Sequence, residues 1–350
     1  MKKFSVILTL ILVLSMLAGC AGTTVVYQTN CTCPAGSHDV TAQEPAPTEA
    51  PATEAPVVVE GAVKTGLAVV TSIAITDPAE DAPGKASYDV TYAAVNVDDN
   101  GVITACKFDS LGADVAFAAD GTIETVDADV EVLTKHELGD AYGMGTFAPA
   151  GEWYVQANAL ADYVVGKTVE ELKNGAIDAS GYAVDVDLKS SATMNLFGYV
   201  AAIEKAVANA KHLGAQAGDE LKLVSINALS GSNLNGDVVA VTMKDGVITS
   251  CYLDSLQATL NVAEDGTVSA GNTLTKNELG YDYNMVNFQA STMEWFEQAA
   301  GFAAYVTGKT PADVAGIAID EKTYPTDTDL TASCTIAIGG FQALIAKAAQ

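Results

Sequence analysis

The stretch GVITACKFDSL at residues 101–111 returns as GVITSCYLDSL at residues 246–256, an offset of 145 positions (246 minus 101). Three further pairs follow in the same order: TKHELG at 134–139 with TKNELG at 275–280, EWYVQA at 152–157 with EWFEQA at 294–299, and YVVGKT at 163–168 with YVTGKT at 305–310. Recurrence in a constant order indicates an internal repeat. Each copy is long enough to form a hydrophobic core by itself, so we expect two tandem domains over 61–214 and 218–350.

Within each copy, the local pattern is typical of β-hairpins. Alternating polar and apolar residues flank the turn DNG at 99–101 and again the turn KDG at 244–246. A glycine preceded by Asn or Asp supplies the left-handed backbone that a tight hairpin turn needs. We therefore expect a mainly antiparallel sheet in each copy.

Two helices are predicted after the strands of each copy. The first covers about residues 152–165, its counterpart covers about 294–306, and each is followed by a glycine, as helix ends often are. The second closes each copy and has apolar residues at helical spacing. Its apolar face comprises Leu196, Val200, Ile203 and Val207 in the first copy, and Ile338, Phe341, Ile345 and Ala348 in the second. The predicted class is α+β, with two tandem copies of a small domain.

The amino terminus has the pattern of an export signal. Lys2 and Lys3 precede an uncharged, mostly apolar run at 4–16. That run is shorter than the roughly twenty residues of a membrane-spanning helix, so a cleaved signal is favoured over the alternative of an uncleaved anchor. The tetrapeptide LAGC at 17–20 resembles the lipobox of bacterial lipoproteins, in which the cysteine is acylated. We expect residues 1–20 to be a signal peptide with its lipobox, and Cys20 to anchor an extracytoplasmic protein to the cell membrane.

Residues 21–60 have the composition of a disordered tether. The segment TAQEPAPTEAPATEAP at 41–56 has no aromatic residue and little to bury. Its prolines favour an extended conformation that would hold the folded part away from the membrane. Cys31 and Cys33 are too close for an easy mutual disulfide, and their role is left open. Cysteines 106 and 251 lie in apolar runs and are expected to be buried.

Charge and histidine usage exclude several classes of function. The net charge of −27 argues strongly against nucleic acid as a partner, because phosphate backbones would repel the protein. His38, His136 and His212 do not recur between the copies, and Asn277 stands where the first copy has His136. A metal centre or a histidine-dependent catalytic triad built once per copy is therefore not expected.

The segments DLKSSAT at 187–193 and DLTASCT at 329–335 precede the closing helices. They resemble the flavin-attachment segment of the FMN-binding domain family, which reads Ser-Gly-Ala-Thr and occurs in tandem copies in flavinylated bacterial surface lipoproteins. The resemblance implies that a dedicated transferase joins FMN, through its phosphate, to the hydroxyl of Thr193 or Thr335. Two departures are evident: Ser191 replaces the glycine of the first copy, and Ser333 with Cys334 replaces Gly-Ala in the second.

The expected site combines a helix start with hydroxyl donors. Unpaired backbone N–H groups at a helix start suit a phosphate diester. Hydroxyl groups nearby could donate further hydrogen bonds to it, and aromatic side chains could pack against the flavin ring. The candidate phosphate donors are Ser190, Ser191 and Ser333, and the candidate ring-packing residues are Tyr142, Tyr283, Trp153 and Trp295. The alternative is that these Ser and Thr residues only cap a helix.

The leading functional hypothesis is a surface electron carrier rather than a substrate-converting enzyme. FMN would supply the chemistry, and the tethered protein would place it between a membrane redox donor and an outside acceptor. The alternative is a non-catalytic ligand-binding or scaffold lipoprotein that keeps the fold without the cofactor.

Replacing the acylated residue tests the anchor. Cys20→Ser removes the thiol that takes the lipid, so we expect the variant to be released or left unprocessed, whereas wild-type protein partitions into detergent. Detergent phase separation and intact mass measure this. A Cys20→Ser protein that stays membrane-bound at the normal mature size would contradict the lipoprotein interpretation.

Overall fold

The computed structural model describes residues 61–288 and 291–350. The predicted signal peptide with Cys20, and the predicted tether with Cys31 and Cys33, lie outside the described residues. Within the described ranges, no helix is both long and apolar enough to cross a lipid bilayer.

The strands form two main antiparallel sheets. The first has the order β1-β2-β3, the second has the order β4-β5-β6-β7, and β8 pairs with β9 in a small separate sheet. The predicted α+β class and its antiparallel pairing are confirmed. The strands are β1 (Lys64–Thr76), β2 (Gly84–Val97), β3 (Ile103–Phe117), β4 (Val126–Glu131), β5 (Glu220–Gly231), β6 (Asn233–Lys244), β7 (Val247–Ala258), β8 (Leu260–Val262) and β9 (Val268–Ala270).

Helices follow the strands in both halves of the chain. The longer helices coincide with the amphipathic segments of the sequence, and all eight residues of the predicted apolar faces are buried except Val207, which is partly buried. The helices are α1 (Lys135–Leu138), α2 (Trp153–Val164), α3 (Val169–Gly175), α4 (Val186–Ser191), α5 (Phe197–Ala208), α6 (Lys276–Leu279), α7 (Met285–Phe288), α8 (Trp295–Val306), α9 (Pro311–Ala315), α10 (Thr328–Thr331) and α11 (Gly339–Ala348).

Four layers follow from these elements. Helices α2 and α5 cover the outer face of β1-β2-β3, and helices α8 and α11 cover the outer face of β5-β6-β7. Each helix layer and its sheet enclose one core. The inner faces of the two sheets pack on each other and enclose a third core, which contains Val90 and Leu111 from the first sheet and Val238 and Leu256 from the second. The order of layers is therefore helices, sheet, sheet, helices.

The strand sequences explain the double coverage. In β2, side chains of alternate residues point to opposite faces of the sheet. Ala93, Val95 and Val97 belong to the helix-covered core, whereas Tyr92 and Ala94 belong to the core between the sheets. A strand that is apolar on both faces requires a cover on both, and the second repeat supplies one of the two covers.

The expectation of two self-contained domains is wrong on two points. Strand β4 comes from the first repeat yet pairs with β5 of the second, at Val130↔Leu229 and neighbouring positions. The core between the sheets takes side chains from both repeats. Residues 61–214 and 218–350 accordingly fall within one compact unit, because each repeat alone would expose the inner face of its sheet to water.

The contacts between the repeats are reciprocal. Lys205 at the end of α5 pairs with Glu278 of the second repeat, and Lys347 at the end of α11 pairs with Glu137 of the first. The two lysines are 142 positions apart, the two glutamates are 141 apart, and both glutamates close the capping box of a TK-x-EL helix. Equivalent lysines of the two repeats thus contact equivalent glutamates of the opposite repeat. Such reciprocal contacts are typical of an interface with approximate two-fold symmetry.

The shared core predicts that both repeats unfold together. Leu111→Ala opens a cavity between the sheets, so we expect a loss of about 2–5 kcal/mol in the free energy of unfolding. Trp153 and Trp295 are the two tryptophans, one in each repeat, so Trp153→Phe and Trp295→Phe backgrounds report each half by fluorescence in a urea titration. Both reporters should shift equally. A shift confined to Trp153 fluorescence would show that the halves are independent.

Candidate functional site

The threonine of the first repeat is held by a buried glutamine. The Oε1 atom of Gln156, on α2, accepts hydrogen bonds from the backbone N–H of Thr193 at 2.8 Å, from the Thr193 hydroxyl at 3.3 Å, and from the N–H of Met194 at 3.1 Å. The Gln156 amide nitrogen donates to the carbonyl of Gly151. Because Gln156 is fully buried, both ends of its amide group are satisfied inside the protein.

The second repeat contains the same arrangement. Gln298, on α8, accepts from the Thr335 N–H at 2.8 Å and from the Thr335 hydroxyl at 2.9 Å. Both glutamines precede their threonine by 37 residues. Each threonine residue is exposed while its two chain neighbours are buried, and its hydroxyl group donates inward to the buried glutamine.

The sequence suggested that the threonines lie at the first turn of the closing helices, and the structure places them before those helices. Helix α4 ends at Ser191, and α5 begins only at Phe197. Thr193 lies between them, and the N–H of Phe197 in the first turn of α5 is already paired with the Asn195 side chain. The helix-start contribution to phosphate binding that we expected at Thr193 is therefore wrong, because a short intervening segment separates the threonine from α5.

The three candidate serines donate within their own helical segments. The Ser190 hydroxyl donates to the Asp187 carbonyl, the Ser191 hydroxyl to the carbonyls of Asp187 and Leu188, and the Ser333 hydroxyl to the Leu330 carbonyl. A serine hydroxyl has one proton to donate, so these groups are committed to the backbone. The structure does not bring them together as phosphate donors.

Two of the four candidate aromatic residues are core residues. Trp153 and Trp295 are 2% and 5% exposed, and each ring faces a lysine ammonium group about 5 Å from its centroid, Lys135 at 5.4 Å and Lys276 at 5.0 Å. Tyr142 and Tyr283 contact the same two lysines. Cation–π contacts of this kind stabilise the fold, and they leave the tryptophan faces occupied.

Sequence reasoning missed two exposed phenylalanines. Phe147 and Phe288 are 77% and 82% exposed and occupy matching positions, 141 residues apart. Each lies at the end of a short helical turn that precedes the helix carrying Gln156 or Gln298. The matching motifs GMGTF at 143–147 and NMVNF at 284–288 were a signal that could have found them.

The cysteines of the strands are buried, as predicted. Burial raises the pKa of the Cys106 and Cys251 thiols to about 12. Cys334, next to Thr335, is buried as well, and burial raises the pKa of its thiol to about 11. Thiols with such pKa values are neutral at physiological pH and are poor nucleophiles.

A cleft of about 650 Å³ opens on the second repeat. Its floor is the β7 segment from Cys251 to Asp254, one wall is α8, and the other wall is the chain segment 208–213 that follows α5. This volume is within the range of small-molecule sites. A smaller cavity of about 380 Å³ lies near the matching part of the first repeat, around Cys106 and Ala161.

The cleft and Thr335 lie on opposite faces of α8. Gln298 faces Thr335, and Gly301 faces Ser333 so closely that a Cβ at that glycine would lie 2.5 Å from the Ser333 carbonyl oxygen. Ala300 and Ala303 line the cleft. At about 3.6 residues per turn, positions 300 and 303 lie on the side of the helix opposite position 298. The two features are therefore separate sites.

Asp254 is the buried acid of the cleft. Burial, as the largest cause, raises its pKa to about 6, the nearby Glu278 carboxylate raises it further, and hydrogen bonds from Thr275, Asn277 and Ser255 act in the opposite direction. The N–H groups of Ser255 and Asn277 donate to its Oδ1 atom at 2.8 and 3.1 Å. These bonds hold the carboxyl group in place in either protonation state.

The raised pKa predicts a specific pH dependence. The folded protein keeps the Asp254 proton at a pH where the unfolded chain has lost it, so stability from this residue is present below about pH 4 and is lost as pH rises to about 6. Asp254→Asn cannot titrate, and its stability relative to wild type should rise by about 3 kcal/mol between these pH values. Urea unfolding from pH 4 to 7 measures this. A constant difference between the two proteins would contradict it.

Comparison with known proteins adds no functional assignment, since no family model, no curated protein and no solved structure matches this chain.

Proposed function

We propose that this chain is a membrane-tethered extracytoplasmic lipoprotein that carries electrons on flavin attached to its FMN-binding-like repeats. The observation that carries the proposal is the pair of exposed threonine residues, Thr193 and Thr335, each held by a buried glutamine. The protein acts as an electron carrier rather than as a substrate-converting enzyme. Residues 1–20 with Cys20, and residues 21–60, supply the anchor and the tether.

The threonine residues fit the role of a modification acceptor. A transferase must reach the hydroxyl oxygen, and exposure of both threonine side chains permits this. The glutamine holds the threonine backbone through its N–H, so the segment does not need the hydroxyl hydrogen bond to keep its conformation. Esterifying the hydroxyl therefore removes only the hydrogen bond that the hydroxyl donates to the glutamine. The backbone hydrogen bond to the same glutamine remains.

Thr193 is the better acceptor of the two. Its hydroxyl lies 3.3 Å from Gln156 Oε1, whereas the Thr335 hydroxyl lies 2.9 Å from Gln298 Oε1 and is held in the stronger hydrogen bond. The first repeat also keeps the Ala-Thr pair of the family segment, in Ala192, whereas Cys334 precedes Thr335. Both differences favour modification of the first repeat.

The phosphate contacts that the family resemblance implies are not matched by the serines. Ser190, Ser191 and Ser333 direct their protons to backbone carbonyls, so they do not fit the role of phosphate donors. The ring surface has better support, because Phe147 and Phe288 are exposed and precede the glutamine-bearing helices α2 and α8 in the chain. Bound flavin would supply reversible electron transfer, and this chain would supply attachment, an apolar contact surface and placement outside the membrane.

The proposed partners follow from the same role. A flavin transferase must modify the threonine, a membrane redox donor must reduce the carrier, and the lipid anchor confines the encounter to the membrane surface. Nucleic acid is not proposed, because a net charge of −27 repels phosphate backbones.

A second candidate is a ligand-binding lipoprotein without cofactor. The observation that favours it is the 650 Å³ cleft on the face of α8 opposite Thr335. Nothing in that cleft depends on flavin at either threonine.

Paired substitutions test the flavin proposal. Thr193→Val removes the acceptor oxygen and keeps the shape of the side chain, so we expect it to abolish most covalent flavin with a loss of stability below about 1 kcal/mol, since one exposed hydrogen bond is removed. Thr335→Val is the matched control and should remove less. Intact mass and in-gel fluorescence of protein produced together with a flavin transferase give the readout.

Two results would overturn it. Wild-type protein that stays unmodified beside an active transferase would favour the ligand-binding candidate. Flavin that persists in the Thr193→Val, Thr335→Val double variant would place the attachment on another residue.

A further inference from the structure

The first repeat contains a partly buried acid paired with a histidine. Asp109 Oδ1 lies 3.2 Å from the ring Nδ1 of His136, and it also accepts the backbone N–H of His136 at 3.2 Å. The other ring nitrogen of His136 lies 3.3 Å from the Asn158 side-chain oxygen. The imidazole therefore bridges the Asp109 carboxylate on β3 and Asn158 on α2. Although burial acts to lower the pKa of His136, its hydrogen bond with Asp109 and the charge of that carboxylate outweigh this effect and raise the pKa.

The second repeat keeps the acid and loses the histidine. Asp254 occupies the position of Asp109, and it accepts the backbone N–H of Asn277 at 3.1 Å, as Asp109 does from His136. Asn277 carries no charge, and Ala300 stands where Asn158 stood. In residues 61–288 and 291–350, no basic side chain comes within ion-pair distance of Asp254. The second repeat therefore lacks both the imidazole partner and its hydrogen-bond acceptor.

The space left by this change belongs to the cleft. Asn277, Ala300 and Asp254 all line it. At two further positions the second repeat has an uncharged residue where the first has a charged one. Ala304 corresponds to Asp162, and Tyr252 corresponds to Lys107. Ala300 and Ala304 are exposed on α8, at positions where the first repeat has polar residues in contact with water. Small exposed side chains beside Phe296 form a wall on which a flat ring can lie.

The nearest basic groups are engaged elsewhere. Lys276 directs its ammonium group to the rings of Tyr283 and Trp295, and Lys205 pairs with Glu278 at the edge of the cleft. Lys211 lines the cleft as well, and its ammonium group lies over the Tyr252 ring, 5.0 Å from the centroid. Asp254 is ionised at neutral pH, because its pKa of about 6 lies below 7. A buried carboxylate without a cation is costly, and a bound cation would relieve that cost.

We propose that this cleft binds a small aromatic amine. Its protonated nitrogen takes the place of the His136 imidazole beside Asp254, and its ring lies on the alanine face of α8 next to Phe296. The net charge of −27 favours the approach of a cation. The site names a ligand class for the ligand-binding candidate and does not depend on flavin, because Thr335 lies across the helix.

A pair of ligands that differ only in charge tests the proposal. Tryptamine and indole-3-propionate share the indole ring and a chain of similar length, but the first carries an amine and the second a carboxylate. Calorimetric titration of the full mature chain, purified without flavin, should show tryptamine binding at least about tenfold more tightly, a difference of about 1.4 kcal/mol. Equal binding of the two ligands, or no tryptamine binding up to about 10 mM, would overturn the proposal.

Substitutions in the cleft locate the binding site. Asn277→His places an imidazole beside Asp254, as in the first repeat, and occupies the space of the amine, so tryptamine affinity should fall by about tenfold or more. Ala304→Leu blocks the wall with an exposed side chain that α8 tolerates, and it should weaken binding even if Asn277→His does not fold. Asp162→Leu introduces a leucine at the matching position of the first repeat. It is the control and should leave binding unchanged. Unchanged affinity in Ala304→Leu, or an equal loss in Asp162→Leu, would place tryptamine elsewhere and contradict the proposal.

Discussion

The fold depends on the burial of both faces of two antiparallel sheets, one of three strands and one of four. Side chains such as Val90 and Leu111 on the inner face, and Val95 and Ile103 on the outer face, are all fully buried. The chain's own helices can cover only one face of each sheet, so the inner faces cover each other. Removal of this apolar surface from water is the dominant stabilising term, and the ion pairs between the repeats lie at the partly exposed edge, where they contribute little free energy. The reciprocal arrangement of these ion pairs reflects the relative orientation of the two sheets. The pairs themselves add little to the stability of the interface.

Much of the local structure could be predicted from the sequence, because local structure follows from spacing and turn chemistry. The repeated GVIT motifs, the two glycine turns and the 3.6-residue periodicity led correctly to hairpins and amphipathic helices. The pairing of the inner sheet faces was missed, although β2 contains a signal for it. The run YAAVNV at 92–97 is apolar at nearly every position, and such a run is typical of a strand buried on both faces. Which element covers the second face is a question of tertiary packing that periodicity does not answer.

The candidate site was only partly predictable for a related reason. Thr193 and Thr335 could be located by their motif, whereas the glutamine anchors lie 37 residues earlier, and nothing local connects the two. Ser190 and Ser191 were expected to serve a ligand because hydroxyl groups near a helix often do. Their helix proved to be a separate short segment, α4, in which the hydroxyls return to carbonyls one turn back. The cleft could not be predicted from the sequence, because its walls come from three separate elements: β7, α8 and the end of α5.

The reciprocal interface has a consequence for how the two halves can diverge. In a homodimer of separate identical chains, each substitution appears twice, so a change that opens a cleft opens two and a change that weakens the interface weakens it twice. Here one polypeptide joins the halves, and the linkage keeps their effective concentration high without help from every contact. The replacement of His136 by Asn277 and of Asn158 by Ala300 could therefore occur on one side alone. Covalent duplication thus allows asymmetric specialisation: one half keeps an internally paired acid and histidine beside a smaller cavity, while the other exposes a larger concave surface that selection can shape on its own.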